Sequence, residues 1–290
     1  MLTAPLSGNL GNNIQIYTIT RIVADKLGYQ YGFNRHPNHD YYNGTEQLSF
    51  LNLDYGIEHN YGYDDMPPGI DKIWNETNMH YIFPNGDEVD YHPYCEDIWQ
   101  IEDGTKLMIP SCQDARYFKG YEDKICEWLR YKPEFDEQCK NYFENNPLFD
   151  DNTCILNIRG GEYKGISKLL IRKEYYFDAI NKMKAINPKM HFVIISDDPT
   201  YASNIFNNGY PCFHFGIGAD YWLLNHAKNL ILSNSSFAIL PTFTNKVVQN
   251  VFAPAFWSRH NISTGYWAST DMWTFKDYGW NFINREGELV

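Results

Sequence analysis

From residue 153 onward the apolar residues fall into short unbroken blocks separated by amphipathic stretches. Thr153-Cys154-Ile155-Leu156-Asn157-Ile158 stops at Gly160-Gly161 and reads as a strand buried on both faces. A helix is predicted next, with Ser167 as its cap, Leu169, Leu170, Tyr176, Ile180 and Met183 at helical spacing, and Pro188 closing it after Asn187. His191-Phe192-Val193-Ile194-Ile195 is a second buried strand, ending at the turn formers Ser196-Asp197-Asp198-Pro199. The pattern then recurs. Residues 220–228 read as a helix, Leu230-Ile231-Leu232 as a strand, Ser233-Asn234-Ser235-Ser236 as N-capping chemistry for another helix, and Val247 to Ala253 as a last apolar segment. Strands alternating with helices predict an α/β fold with a parallel sheet.

The first half is less regular. Its one clear signal is the glycine-rich loop Gly8-Asn9-Leu10-Gly11-Asn12-Asn13, which feeds Ile14, Tyr17, Ile22, Val23 and Leu27 at mostly helical spacing and ends at Gly28. Residues 34–120 are rich in Asn, Asp, Gly, Pro, Tyr and His, and irregular structure with short strands is expected there. The chain divides on this basis into residues 1–150 and 151–290, with a tail from Trp257, carrying Trp267, Trp273 and Trp280, expected to pack back across both halves.

Composition narrows the class. With 290 residues, 43% hydrophobic and 21% charged, the chain is globular and large enough for two cores, and disorder, collagen and coiled coil are excluded. No stretch reaches the length of a membrane span, and Met1-Leu2-Thr3-Ala4-Pro5 lacks the basic start and apolar run of a signal peptide, so a cytoplasmic location is expected. The sequons at Asn43, Asn75, Asn234 and Asn261 then carry no glycosylation meaning. Six cysteines without one C-x-x-C pair argue for packing rather than for zinc or disulfides.

Charge is unevenly spread. Residues 1–150 hold 11 Lys/Arg against 25 Asp/Glu, a net of −14, whereas residues 151–290 hold 13 against 11, a net of +2, so nucleic acid is not an expected partner. Between 159 and 189, Arg159, Lys164, Lys168, Arg172, Lys173, Lys182, Lys184 and Lys189 face only Glu162, Glu174 and Asp178. This island suits a small anionic ligand or, equally, a solvated basic helix face.

Three polar clusters follow predicted strands, at 157–163, 196–198 and 233–236, which is where open parallel sheets hold ligands. Arg159, before two glycines, can fork onto a phosphate. Ser235 and Ser236 at a helix start offer hydroxyls and free N–H groups, though ordinary capping is the alternative. Asp197 and Asp198 can accept hydrogen bonds from a base or ribose or simply form a turn, and their adjacency disfavours a metal pair. Glu162, Asp220, His36 and His39 are candidate proton acceptors. Glu162 is preferred, three residues from Arg159, with a structural ion pair as its alternative.

In combination, Gly8-Asn9-Leu10-Gly11-Asn12, Gln113 with Tyr117-Phe118, Asn157-Ile158-Arg159-Gly160-Gly161-Glu162-Tyr163, Ser196-Asp197-Asp198 and Ser233-Asn234-Ser235-Ser236-Phe237 resemble, in order and spacing, the α-1,2-fucosyltransferase family (glycosyltransferase family 11). The resemblance implies a GT-B-type fold of two Rossmann-like domains, the second holding the nucleotide sugar, the first on the acceptor side and transfer in the cleft. It implies an inverting reaction with GDP-fucose as donor substrate, a glycan acceptor, and no metal or other cofactor. It assigns catalysis to Arg159, at the diphosphate, and implies donor binding by Gly11, Asn12, Asn157, Tyr163, Ser196, Asp197, Asp198, Asn234, Ser235, Ser236 and Phe237. The chain departs from the family's His-x-Arg-Arg-Gly-Asp-Tyr at Asn157, Gly160 and Glu162, which loses a histidine and a bidentate donor. Another deoxysugar donor such as rhamnose on a different nucleotide, or a catalytically silent glycan-binding protein on the same scaffold, are the alternatives.

Overall fold

The computed structural model describes residues 1–6, 8–34, 47–57, 61–62, 64–82, 86, 88–109, 111–167, 169–257 and 270–290. His36, His39, Asn43, Asn261, Lys168 and Trp267 lie outside them. The chain forms two compact units, Met1–Lys132 and Pro133–Val290.

The first unit starts with β1 (Leu2–Pro5), which the sequence pattern did not announce, then α1 (Leu10–Leu27) and β2 (Tyr31–Asn34). The glycine loop is shorter than expected. Helix α1 already begins at Leu10, so Gly11 and Asn12 are first-turn residues, and Gly8 (φ 78°) makes the left-handed turn before them. A Cβ on Gly8 would stand 2.8 Å from Asn12 Nδ2. At the other end Gly28 adopts the expected left-handed cap, its N–H donating to Ala24 O. Strands β3 (Lys72–Asn75) and β6 (Thr105–Met108) complete a parallel sheet in the order β2-β1-β6-β3. Between them β4 (Met79–Ile82) and β5 (Glu88–Tyr91) form an antiparallel hairpin, and α2 (Glu122–Trp128) follows β6.

The second unit contains α3 (Pro133–Glu144), β7 (Thr153–Ile158), α4 (Lys173–Ile186), β8 (His191–Ser196), α5 (Pro199–Ile205), β9 (Cys212–Phe213), α6 (Ile217–His226), β10 (Asn229–Ile231), α7 (Ile239–Phe243), β11 (Asn250–Pro254) and β12 (Trp280–Ile283). Its six strands are all parallel, in the order β12-β11-β10-β7-β8-β9. Every residue of β7 is buried, as its nearly unbroken apolar run requires of a central strand covered on both faces. Beneath α4, the side chains of Tyr175, Tyr176, Ala179, Ile180 and Met183 pack on Leu156, Ile158, Phe192 and Ile194. Tyr175 OH donates to Leu232 O at 2.6 Å, pinning the helix to the chain just beyond β10. The expected α/β class with parallel sheets is thus what the chain adopts.

Several expectations need correction. Residues 133–150 belong to the second unit, where Phe143 stacks on Trp222 at 5.5 Å and Trp222 Nε1 donates to Asp136 at 2.7 Å. Ser167 is not the N-cap of α4: residues 161–165 form a 3₁₀ turn, Leu169 and Leu170 lie in the turn that follows, and α4 starts only after Arg172. The helix expected after Ser235 is a 3₁₀ turn (Ser236–Ala238) followed by one short helix, α7, and the side chain of Ser235 makes no capping bond. Asn245 ends α7 early, since its Oδ1 accepts from Val247 N and Val248 N, both at 2.8 Å, and its Nδ2 reaches Leu224 O and Ala227 O, both at 2.9 Å. In the tail, Trp280–Ile283 is an edge strand of the second sheet.

Candidate functional site

Three neighbouring strand ends of the second sheet build the site. Strand β7 delivers Asn157 and then Arg159. Alongside it β8 ends at Ser196 and passes to Asp197 and Asp198, and on the other side the segment after β10 carries Ser233 to Phe237. Asn157 is buried, and its Oδ1 accepts from Ser233 Oγ at 3.0 Å, so it ties two strand ends together. Ser196 is buried too, its Oγ accepting from Asp198 N at 3.0 Å.

Arg159 is gripped by two carboxylates. Its Nη1 donates to Asp197 Oδ2, its Nη2 to Glu162 Oε1 at 2.9 Å, and its guanidinium lies 5.2 Å from the centre of the Tyr163 ring. The other oxygen of Asp197 accepts from Gly160 N at 2.8 Å, so one side chain fixes both the arginine and the turn that follows it. That turn needs its glycines. A Cβ on Gly160 would stand 2.9 Å from both Asp198 Cβ and Tyr201 Cδ1, and Gly161 (φ 36°) would drive one onto the Asp197 carboxylate.

Asp198 plays a different part. It caps α5, accepting from Tyr201 N at 3.0 Å, and pairs with Lys164 Nζ. Lys164 and that capping bond hold its carboxyl below the ordinary value. The two aspartates thus point at different partners, and among the described residues no group of three His, Cys, Asp or Glu is placed to hold a metal ion.

The basic island resolves into two parts. Arg159 and Lys164 sit at the strand ends, whereas Lys173 and Lys184 lie on the exposed face of α4 and Lys189 just beyond it. At the site itself the five charged side chains named, two basic and three acidic, leave a net of −1.

Of the other expected residues, Tyr163 is half-buried and burial raises its phenol above the ordinary value. Asn234 is buried and turns its amide to Leu169 O at 2.7 Å, Ser235 is buried, and Ser236 and Phe237 are half-buried, Phe237 lying edge-on to Tyr221. Gly11 and Asn12 belong to the first unit. Glu162 is an ion-pair partner of Arg159, the alternative the sequence left open.

One pair was only half visible in the sequence. His214, just past β9, places Nδ1 2.6 Å from Asp220 Oδ2 at the start of α6, while Phe215 N donates to Asp220 Oδ1 at 3.1 Å. Burial pushes the Asp220 carboxyl up to about 6 against the pull of these two donors, and the Asp197 charge adds to the rise. Asp220 was a candidate by residue type, but nothing in a six-residue spacing reveals His214 as its partner.

No family model matches the chain. Over 168 residues, 51% of its length, it is 26% identical to the O-antigen biosynthesis glycosyltransferase WbnK of Escherichia coli. That match covers 55% of WbnK, so the chain spans about half the length of this curated relative. No described helix is long and apolar enough to cross a membrane. In structure the chain is similar to the fucosyltransferase NodZ from Bradyrhizobium, with a TM-score of 0.51 at 12% identity over 86% of this chain and 94% of that one. A selenomethionine form of NodZ gives 0.50 at 13% identity, over 86% and 93%. At such identity the likeness is one of fold: this chain and NodZ share an α/β architecture across most of their lengths.

Proposed function

We propose that the chain is a glycosyltransferase of the α-1,2-fucosyltransferase type, moving L-fucose from GDP-fucose to a glycan hydroxyl with inversion and without a metal. The observation that carries this reading is Arg159 at the carboxyl end of the central strand, fixed by Asp197 and followed by a glycine turn with no room for a side chain. The partial match to WbnK and the fold shared with NodZ support it.

The chemistry follows from charge. As the bond between the anomeric carbon and the diphosphate breaks, negative charge gathers on the leaving oxygen, and a pre-oriented guanidinium stabilises that state more than the ground state. Arg159 exchanges Glu162, the more exposed of its two partners, for the diphosphate, while Asp197 keeps its orientation. Asn157, with its amide oxygen on Ser233, holds the strand ends in register and moves no proton. Ser235, Ser236 and Phe237 are assigned to the donor.

The test is a thermal-shift panel of GDP, UDP, TDP, CMP and their sugar conjugates, with and without EDTA, on the parent and Arg159→Ala. A ligand of the native state at ~100-fold over its Kd adds about 2.7 kcal/mol. Stabilisation by GDP that survives EDTA and is lost in Arg159→Ala, with fucose transfer to a glycan, is expected. Stabilisation by UDP or TDP instead replaces the donor. A parent that answers to no nucleotide but binds glycans overturns the enzyme reading.

A further inference from the structure

Most of the basic island has no part in the strand-end site. Arg159 and Lys164 stand there, whereas the rest of the described island lies on α4 and the residues beside it. Residues 172–189 carry Arg172, Lys173, Lys182, Lys184 and Lys189 against Glu174 and Asp178, five positive charges and two negative, in a chain of net charge −12. Both carboxylates are turned aside. Glu174 pairs with Arg172 at 3.7 Å, and Asp178 lies against Gly287, where a Cβ would stand 2.7 Å from its Oδ2. Among the described residues Lys173, Lys182, Lys184 and Lys189 make no ion pair, whereas Lys72, Lys124, Lys140, Lys164 and Lys228 each have a carboxylate partner. An acidic protein thus leaves its lysines uncompensated on one helix.

The outer side of α4 is not merely charged. Its inner side, Tyr175, Tyr176, Ala179, Ile180 and Met183, is committed to the sheet, so helical periodicity sets Lys173, Phe177 and Lys184, at i, i+4 and i+11, along one outer stripe. Phe177 is 41% exposed although its ring has Phe206 at 5.2 Å, and Ile186, at the end of the helix, is 53% exposed. Single apolar side chains on a surface need no explanation, but this ring stands between unpaired lysines. Water gives no gain from that arrangement, whereas the interface of a bilayer satisfies both kinds of group. Anionic headgroups neutralise the ammonium groups, the ring enters the acyl boundary, and the long lysine stems span the two depths. A nucleic acid would meet the charges and leave Phe177 facing water, and the acid excess of the chain as a whole opposes a long polyanion.

We propose that the outer face of α4 docks the chain on the surface of an anionic lipid bilayer, with Lys173, Lys184 and Lys189 on the headgroups and Phe177 seated among them. The attachment is peripheral, because α4 keeps its inner side on the sheet and offers the bilayer only its outer one. It goes beyond the glycosyltransferase reading and does not rest on it, since none of these four residues belongs to the strand-end site.

The experiment is co-sedimentation of the full chain with vesicles of phosphatidylcholine alone, or of phosphatidylcholine and phosphatidylglycerol in equal parts, at low and high salt. A lysine near an anionic surface is worth about fivefold in affinity, so the triple variant Lys173→Gln/Lys184→Gln/Lys189→Gln is expected to bind the mixed vesicles ~10²-fold more weakly. Salt should weaken the parent's binding in the same sense. Phe177→Ser, which removes a ring only 41% exposed, should cost roughly three- to eightfold. A control triple, Lys119→Gln/Lys132→Gln/Lys140→Gln, removes the same charge from exposed lysines elsewhere and should bind as the parent does. These are surface changes, so unaltered melting temperatures are expected throughout. A parent that ignores the mixed vesicles, or binds phosphatidylcholine equally well, overturns the proposal. So does a control triple that loses as much as the α4 triple, which makes the attraction a matter of net charge. Retention of a short DNA duplex through the α4 lysines without retention of vesicles overturns it in favour of a nucleic acid. A Phe177→Ser variant that binds as well as the parent overturns the seating of the ring.

Discussion

Replacing Asp197 by Asn asks whether this carboxylate serves Arg159 or competes with the ligand for it. The isosteric amide can keep its oxygen on Gly160 N, so what disappears is the charge opposite Arg159 and the charge assistance on that backbone bond. The two side chains are only 23% and 28% exposed, which places the pair between a surface bridge worth about 0–1 kcal/mol and a buried one. Weakening the backbone bond from charged to neutral removes roughly another 0.5–1 kcal/mol. A loss near 1–2 kcal/mol is therefore expected from urea unfolding at constant m, and about 1 kcal/mol more for Asp197→Ala, which also leaves Gly160 N without its acceptor. In nucleotide-sugar turnover, Asn should lower kcat by ~10-fold or more, because an arginine held only by Glu162 is no longer aimed where charge develops. A tenfold gain in nucleotide affinity with kcat unchanged would refute the reasoning and make Asp197 a competitor of the phosphate.

Two further outcomes follow from the geometry. In Gly161→Ala the left-handed φ and the Cβ driven onto Asp197 should cost about 1–3 kcal/mol and loosen Arg159, so stability and turnover fall together, and a stable variant with full turnover would contradict the account of the turn. Asp220, raised to about 6 from 3.8, favours the folded state most strongly when protonated, so its contribution is complete below about pH 3.8 and is lost as pH rises through about 6. The parent should therefore lose up to roughly 3 kcal/mol relative to Asp220→Asn between those limits in urea titrations, and parallel stability curves would show that His214 fully offsets the burial.

The second sheet was legible because its central strands are buried on both faces, so Cys154 to Ile158 and Phe192 to Ile195 are nearly unbroken apolar runs. The first sheet was not, since its strands are four residues long and carry disguises. Lys106, in the middle of β6, is buried and spends its ammonium on Asp65 O at 2.8 Å, and Thr3 and Thr105 occupy core positions. For the site, strand ends and glycines pointed to residues 157–163 and 196–198. Pairings did not follow, because Arg159 and Asp197 meet across 38 residues and His214 meets Asp220, in the first turn of α6, from an irregular stretch with no periodic signal. Its three-residue spacing from Arg159 left Glu162 open as a base or as an ion-pair partner, and the fold shows the ion pair.

Strand order also dictates when each sheet can assemble. In the first sheet β6 lies between β1 and β3, both of which precede it in the chain, so β3 has no place beside β1 until residues 105–108 arrive and insert. In the second, β7 and β8 pair across one helix, whereas β10 closes on β7 over some 75 residues and β12 is added last at the edge. Such late, distant closures lift the contact order and slow folding. An early parallel β7-α4-β8 unit would leave the open flank of β7 waiting for β10, which makes that flank the surface a chaperone would shield while the rest of the chain is still emerging.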